Sequence, residues 1–482
     1  MSLVRASHSL QAPISSQPVK SPWRRSLILG VLFLLALATT IALAITAPPP
    51  DTSVTLFIWV WIISFLPYLA ACIVVLKTKA GTGRWQWVEL GIILVGALVL
   101  RAVLLPIPPD LSHDSWRYLW DARVTLHGYS PYVYAPGDPL FLHLRDFIYD
   151  NSRFRSVPTL YPPGAQAIYL ISYLLAPSNL FFLKGIFIGF DLVTCVALAF
   201  FLKYRGLDPA RTIIYAWSPL PIVEFAIQGH VDAATLTFTL LAVVCSLSNR
   251  QSMRILTGFL IAMATLTKIY PILLLIVVVR RRGDWALIAT CFLTIIASYI
   301  PYIILGHGQV FGFFSTYANE HTPNEGITKL VIGWLGPRTG LSATLTLVLE
   351  YLIDLLVVCS VSLLVLVLRL QERISKEAAI LVLIGIVFAV SSHIFPWYTT
   401  VLLLWVAMLV EPLWTHTDGL NSKGLAVAMA WYFASVSIIS YFFVLDWHIY
   451  YLLVYDVVLI GLGMAAIKRY MEQHTLWGMQ KR

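Results

Sequence analysis

The side chains best suited to chemistry sit in Ser112-His113-Asp114-Ser115-Trp116-Arg117-Tyr118-Leu119-Trp120-Asp121-Ala122-Arg123. Asp114, Arg117, Tyr118 and Asp121 recur at i, i+3, i+4 and i+7, which is one face of a helix. An acidic residue over the mouth of a membrane cavity, with an arginine one turn away, is suited to act as a base. The same spacing also suits a surface helix laced by Arg–Asp pairs, each worth roughly a few tenths of a kcal/mol. Ser112 is the expected N-cap, the helix should run to about His127-Gly128, and Trp116 and Trp120 are placed to anchor it in an interface. Three further clusters stand out. Gln228, His230 and Asp232 fall in a turn between two apolar runs, where they line a cavity or merely end a helix. Lys268 interrupts an apolar hairpin, where a cation costs several kcal/mol unless it snorkels or finds an anion. His393 lies just before the helix break at Pro396.

These groups must be positioned by membrane-spanning helices. Of 482 residues, 59% are hydrophobic and 12% charged, against about 25% charged in soluble domains. A water-soluble enzyme, a disordered chain and a disulfide scaffold are all excluded. Cys72, Cys195, Cys245, Cys291 and Cys359 stand singly, so neither a zinc site nor a disulfide framework is expected. Apolar runs mark candidate spans at 27–47, 54–76, 87–105, 180–202, 209–226, 231–248, 286–304, 342–369, 378–394, 397–411, 424–444 and 451–467. Two shorter pieces, 255–267 and 269–280, form a hairpin hinged at Lys268-Ile-Tyr-Pro271. The first run, Ser26 to Thr46, is too long for a signal-peptide core and is expected to be retained.

Basic residues set the orientation. With the N-terminus cytoplasmic, 23 of the 33 lysines and arginines fall inside, provided residues 160–176 lie on the outer interface instead of crossing. The +9 net charge therefore belongs to cytoplasmic loops, and nucleic acid is not an expected partner. The expected architecture is an all-α polytopic bundle of about 14 transmembrane segments with both ends cytoplasmic. It divides into a disordered tail (1–26), a two-helix extension (27–86), a catalytic module (87–304) with a long outer loop at 106–179, and a C-terminal helical module (305–482). A second outer loop, from Gly306-His307 to Asn324-Glu325, holds Glu320 and His321, which either contact an acceptor or are solvated loop charge. Long loops in compact proteins are usually functional, so the chemistry is expected on the extracytoplasmic face. No Walker-type loop or Gly-rich nucleotide loop is present, so an activated substrate should enter as a lipid.

The segments HDSWRYLWDARVTLHGYSPYVYAPGDP, YPPGAQAIY, EFAIQGHVDA, LTKIYP and HIFPWY occur in that order. Together they resemble the bacterial polyprenyl-phosphate-sugar-dependent mannosyltransferases of the GT-C superfamily, which are similar to the first mannosyltransferase of glycosylphosphatidylinositol assembly. The resemblance covers roughly residues 87–470. Its first two motifs are fairly specific and the others individually weak. Relatives often read Trp-Asp-Gly-Arg where this chain has Trp120-Asp121-Ala122-Arg123. The resemblance implies a GT-C-like fold, a catalytic first outer loop with juxtamembrane helices, a polyprenyl-phosphate sugar donor and inversion at the anomeric carbon. It implies Asp114 as the essential acidic residue, Arg117, Tyr118 and Asp121 in the same motif as donor-phosphate or substrate-binding residues, and Lys268 near the lipid phosphate, with Arg117 and Lys268 expected to stabilise its developing charge. His230, Asp232 and His393 are second-tier candidates for acceptor or phosphate binding. The acceptor is a lipid, a glycan or a protein. No cofactor is implied, and use of a divalent cation stays open. The competing readings are a transporter or flippase of lipid-linked saccharide, and a non-catalytic assembly subunit or oligosaccharide ligase.

Overall fold

The computed structural model describes residues 23–47, 55–280, 284–318, 320, 324–415, 419–441 and 447–480. The expected tail lies outside the described residues up to 22, and the first helix already begins at Trp23. Arg25, counted with the tail, is buried in that helix between Glu89 (3.3 Å) and Asp208 (2.6 Å).

The long helices are α1 (Trp23–Thr46), α2 (Thr55–Lys77) and α3 (Arg84–Leu104), followed in the outer loop by the short α4 (Asp114–Leu126) and α5 (Pro163–Leu175). Next come α6 (Leu180–Tyr204), α7 (Pro219–Ala226), α8 (Asp232–Cys245), α9 (Gln251–Thr265), α10 (Leu274–Val278) and α11 (Trp285–Leu305). Apart from shorter helical turns, there follow α12 (Ile327–Arg338), α13 (Ala343–Leu370), α14 (Lys376–Val390), α15 (Pro396–Leu409), α16 (Ser422–Val436) and α17 (Val457–Gln480). A two-residue antiparallel pair, Trp414–Thr415 with Gly419–Leu420, joins α15 to α16.

Among the described residues eight helical stretches are long and apolar enough to cross a membrane, against the 14 or so expected. Several expected spans are real helices of only 14 or 15 residues, such as α8, α14 and α15. At 1.5 Å per residue they reach about 22 Å, short of a hydrocarbon core of about 30 Å. The expected span 209–226 is instead three short helical pieces, because Pro219 and Pro221 follow Ser218, whose extended backbone (ψ 126°) ends the preceding turn. The hairpin at Lys268 forms as expected: α9 stops at Thr265 and the chain resumes through a tight turn at Tyr270–Leu273 into α10. Sequence patterning gave no sign of α12, which packs against α13 and α14 beyond the second outer loop.

Leucines on the outer side of α13, including Leu355, Leu356 and Leu363, are more than half exposed, as expected of a surface meeting lipid. Inward, α2 is tied to the broken segment before α7: the Tyr68 hydroxyl donates to the Ile214 carbonyl (2.7 Å) and Trp61 Nε1 to that of Pro219 (3.1 Å). In the centre Arg101 and Asp191 form a fully buried ion pair, with the Tyr215 hydroxyl donating to the same carboxylate (2.5 Å). Together these features make the chain a multi-pass membrane protein.

Candidate active site

The outer loop folds because α4 is enclosed on every side. Residues Ser115 to Val124 are all buried, so this is no surface helix. Trp116 and Trp120 do not anchor it in an interface; they pack under the loop against Phe147 and against Phe141 and Tyr149. Ser112 is not the N-cap either. Its backbone N–H donates to Gln228 Oε1 (3.0 Å), and the helix starts one residue later, with His113 at the cap position; the His113 ring meets the Asn151 carbonyl (2.8 Å) instead of capping the helix.

That contact sets Asp114 against the Gly229-His230 turn. Gly229 has φ +70°, and a Cβ there would meet Lys184 Cγ at 2.9 Å and Ser115 Cβ at 3.3 Å, so only glycine allows the close approach. His230, fully buried, then lies between two carboxylates: Nδ1 is 3.8 Å from Asp114 Oδ2 and Nε2 is 3.3 Å from Glu224 Oε2. Its ring stacks on Trp397 with centroids 3.9 Å apart. Glu224 accepts from the Tyr441 hydroxyl (3.1 Å).

On its other side Asp114 accepts from the Tyr161 hydroxyl (3.0 Å), which in turn receives the Tyr118 hydroxyl (3.1 Å). Tyr161 precedes Pro162 and Pro163, and α5 that follows is stitched to the broken end of α9: Ala165 N–H donates to the Leu266 carbonyl (2.9 Å). A Cβ on Gly164 would sit 2.6 Å from that of Leu266. Lys268, two residues on, does not snorkel to water. Its ammonium is 3.5 Å from Asp232 Oδ1 and 4.0 Å over the Tyr398 ring, with the Tyr161 ring 5.8 Å away.

Asp114, Tyr118, Lys268, His230 and Asp232 thus converge at one end of the bundle. Asp114 is the most open carboxylate among them, with 19% of its side chain exposed, against 4% for Asp232 and none for Glu224. Burial raises the Asp114 pKa above the ordinary carboxylate value, opposed by the Tyr161 hydroxyl and then by the Lys268 and Arg117 charges. Burial, reinforced by Lys268, pushes the His230 pKa well below its ordinary value, so its imidazole is neutral near pH 7.

Arg117 and Asp121 bond each other and the loop. Arg117 bonds Asp121 (2.7 Å), the Phe154 carbonyl (2.8 Å) and the Val157 carbonyl (3.0 Å), while Asp121 also accepts from Gln166 (3.2 Å). The pair clamps the loop, and Arg117 acts on Asp114 only through space. His393 is set beside the cluster: it faces Glu320 (3.3 Å) and stacks on Tyr317, whose hydroxyl meets that of Tyr398 (2.9 Å). His321 lies outside the described residues. Among the described residues no three His, Cys, Asp or Glu side chains are grouped to hold a metal ion.

Spacing did not single out Tyr161, Glu224, Trp397 or Tyr398 as site residues, although all four sit inside the quoted motifs. The available signal was that each of those motifs falls at a helix break.

Residues 159–392 match glycosyltransferase family 87. The match covers just under half of the chain. It includes Tyr161, Glu224, His230, Asp232 and Lys268, begins after Asp114 and stops one residue before His393. No curated protein and no solved structure gives a significant match. A glycosyltransferase activity is indicated, and with it a sugar donor and an acceptor.

Proposed function

We propose that the chain is an inverting GT-C glycosyltransferase that moves a hexose, mannose in the first place, from a polyprenyl phosphate to an extracytoplasmic acceptor. One observation carries the reading: a partly open carboxylate, Asp114, and a partly open ammonium, Lys268, flank the same tyrosine, Tyr161. Sugar transfer from a lipid phosphate needs those two groups. Asp114 takes the proton of the acceptor hydroxyl as its oxygen attacks the anomeric carbon. The bond from that carbon to the phosphate oxygen breaks on the opposite face, and its electron pair leaves with the polyprenyl phosphate. Lys268 meets the charge that develops on the leaving group, in a setting where a preorganised cation counts more than in water. His230 and the Arg117–Asp121 clamp hold Asp114 in place. Asp232 holds the ammonium until the phosphate arrives.

An isoprenoid donor is supported by a cleft of about 980 Å³ between α12, α13 and the turn of chain at 451–456 just before α17, lined by residues such as Leu330, Trp334, Leu347 and Tyr455. The cleft adjoins the His393 side of the cluster, where Gly326 N–H donates to the Ser391 carbonyl (2.6 Å) and Asn324 to that of Ile394 (3.1 Å). The deciding experiment incubates purified protein with polyprenyl-phosphate mannose and candidate glycolipid acceptors. Release of polyprenyl phosphate together with an α/β-inverted product supports the reading. Movement of intact donor across a vesicle without cleavage would replace it with a flippase.

A further inference from the structure

A second charged cluster lies at the other end of the bundle, which the Lys/Arg count assigns to the cytoplasm. Arg254 stands in the first turn of α9, Arg280 just beyond α10, Arg369 in the last turn of α13, and Lys376 at the first residue of α14. Lys376 and His393 flank opposite ends of α14, so this cluster is about 22 Å from the site above.

Cytoplasmic arginines are ordinary in a membrane protein, and most reach water. These do not. Arg280 Nε, Nη1 and Nη2 are all buried without a hydrogen-bond partner, and Arg254 Nε and Arg369 Nε share that state. Arg369 spends one nitrogen on the Ile374 carbonyl (2.6 Å), and Lys376 makes only long contacts to Ser246 (3.3 and 3.4 Å). The four are near enough to repel: Arg369 acts on Arg280, and Arg254, Arg280 and Arg369 all act on Lys376. Three carboxylates lie nearby, but none of them bonds the Arg280 guanidinium. Asp284 pairs with Arg254 and accepts from the Arg280 backbone N–H (2.7 Å), Glu377 is 3.2 Å from Arg205 and also acts on Arg369 and Lys376, and Glu372 stands beside Arg369. A buried guanidinium without an acceptor is costly, and the ligand that removes the cost is an anion with several acceptor oxygens.

We propose that Arg254, Arg280, Arg369 and Lys376 form a binding site for a phosphoryl anion, remote from the catalytic cluster. The planar fork of Arg280 matches two phosphate oxygens at once, and Lys376 adds a point charge. The same chemistry is offered by the headgroup of an anionic phospholipid and by free phosphate. The site does not depend on the donor or acceptor of the transfer reaction.

The test uses the full chain in a non-ionic detergent, as wild type and as Arg280→Gln. Native mass spectrometry with phosphatidylglycerol and phosphatidylcholine reads the lipid source. Thermal unfolding with inorganic phosphate against chloride at constant ionic strength reads the soluble one. The expected result is that wild type retains phosphatidylglycerol over phosphatidylcholine, or is stabilised by phosphate, and that Arg280→Gln weakens that response by about tenfold or more. Whichever arm responds names the source. Equal responses of the two proteins to both probes overturn the site. In chloride alone Arg280→Gln should unfold at the same temperature as wild type or higher, because it loses an unpaired buried cation. A markedly lower temperature would show that Arg280 serves a protein contact, and it would also overturn the proposal.

Discussion

Two buried ionic clusters can be compared within this bundle. Arg101 and Asp191 are both wholly enclosed, and nearly every polar atom is matched: Arg101 also donates to the Ala97 and Ala216 carbonyls, Tyr215 completes the carboxylate, and only Nη2 of the arginine is left over. Around Asp114 the pattern is looser. Both nitrogens of His230 and Oδ2 of Asp232 are buried without a hydrogen bond, while Asp114 keeps an open edge. A closed cluster has spent its polarity on the fold. An open one holds polarity in reserve for a guest, at a cost in stability that the rest of the core must offset.

Substitutions should separate the two. Asp114→Asn is expected to lower transfer by about 10²–10⁴-fold, measured as polyprenyl phosphate released, while the unfolding temperature stays near that of wild type. A large fall in that temperature would move Asp114 to the scaffold side. Asp191→Leu should do the reverse and destabilise by about 3–5 kcal/mol, because it strands the Arg101 charge; Arg101→Leu together with Asp191→Leu should recover much of the loss in a detergent melt. Lys268→Gln is expected to cost about 10²–10³-fold in kcat with a smaller change in donor affinity, as for loss of one preorganised donor to developing charge. An unchanged kcat would leave Lys268 as a structural partner of Asp232 alone.

The titration of Asp114 sharpens the contrast further. Its raised pKa means that the protonated, inactive form persists to higher pH than for an ordinary carboxyl group near 3.9. The rate should therefore fall about tenfold per unit as pH drops below that raised value, and the limb should vanish in Asp114→Asn. A limb at the ordinary carboxylate position would mean that another group is being read. The smallest effect is expected from Gly229→Ala, which forces a Cβ into a left-handed turn against Lys184 and should cost about 1 kcal/mol or somewhat more. Its diagnostic is a kcat that falls more than the melt predicts, because the turn sets the distance from His230 to Asp114.

Much of this was legible in the sequence. Pro271 betrayed the break that strands Lys268, and the apolar runs located the long helices, because both signals are local. The stripe on α4 was half legible. Periodicity put Asp114, Arg117, Tyr118 and Asp121 on one face, but it could not tell that Arg117 would find Asp121 and two loop carbonyls while Asp114 found Tyr161, 47 residues away. Glu224 was hidden for the same reason, since its partners His230 and Tyr441 are supplied by a turn and by a helix 217 residues on. The shortfall in full-length spans has another origin: apolar composition reports burial, and short helices enclosed by their neighbours are as apolar as those facing lipid.

The bond from Ala165 N–H to the Leu266 carbonyl has a mechanical meaning. It rivets the buried stretch that begins at Tyr161 to the broken helix end bearing Lys268. Lifting that stretch to admit a bulky guest would drag the ammonium along, and lowering it again would return tyrosine and cation together. Arrival of the guest and alignment of the charges would then be one motion.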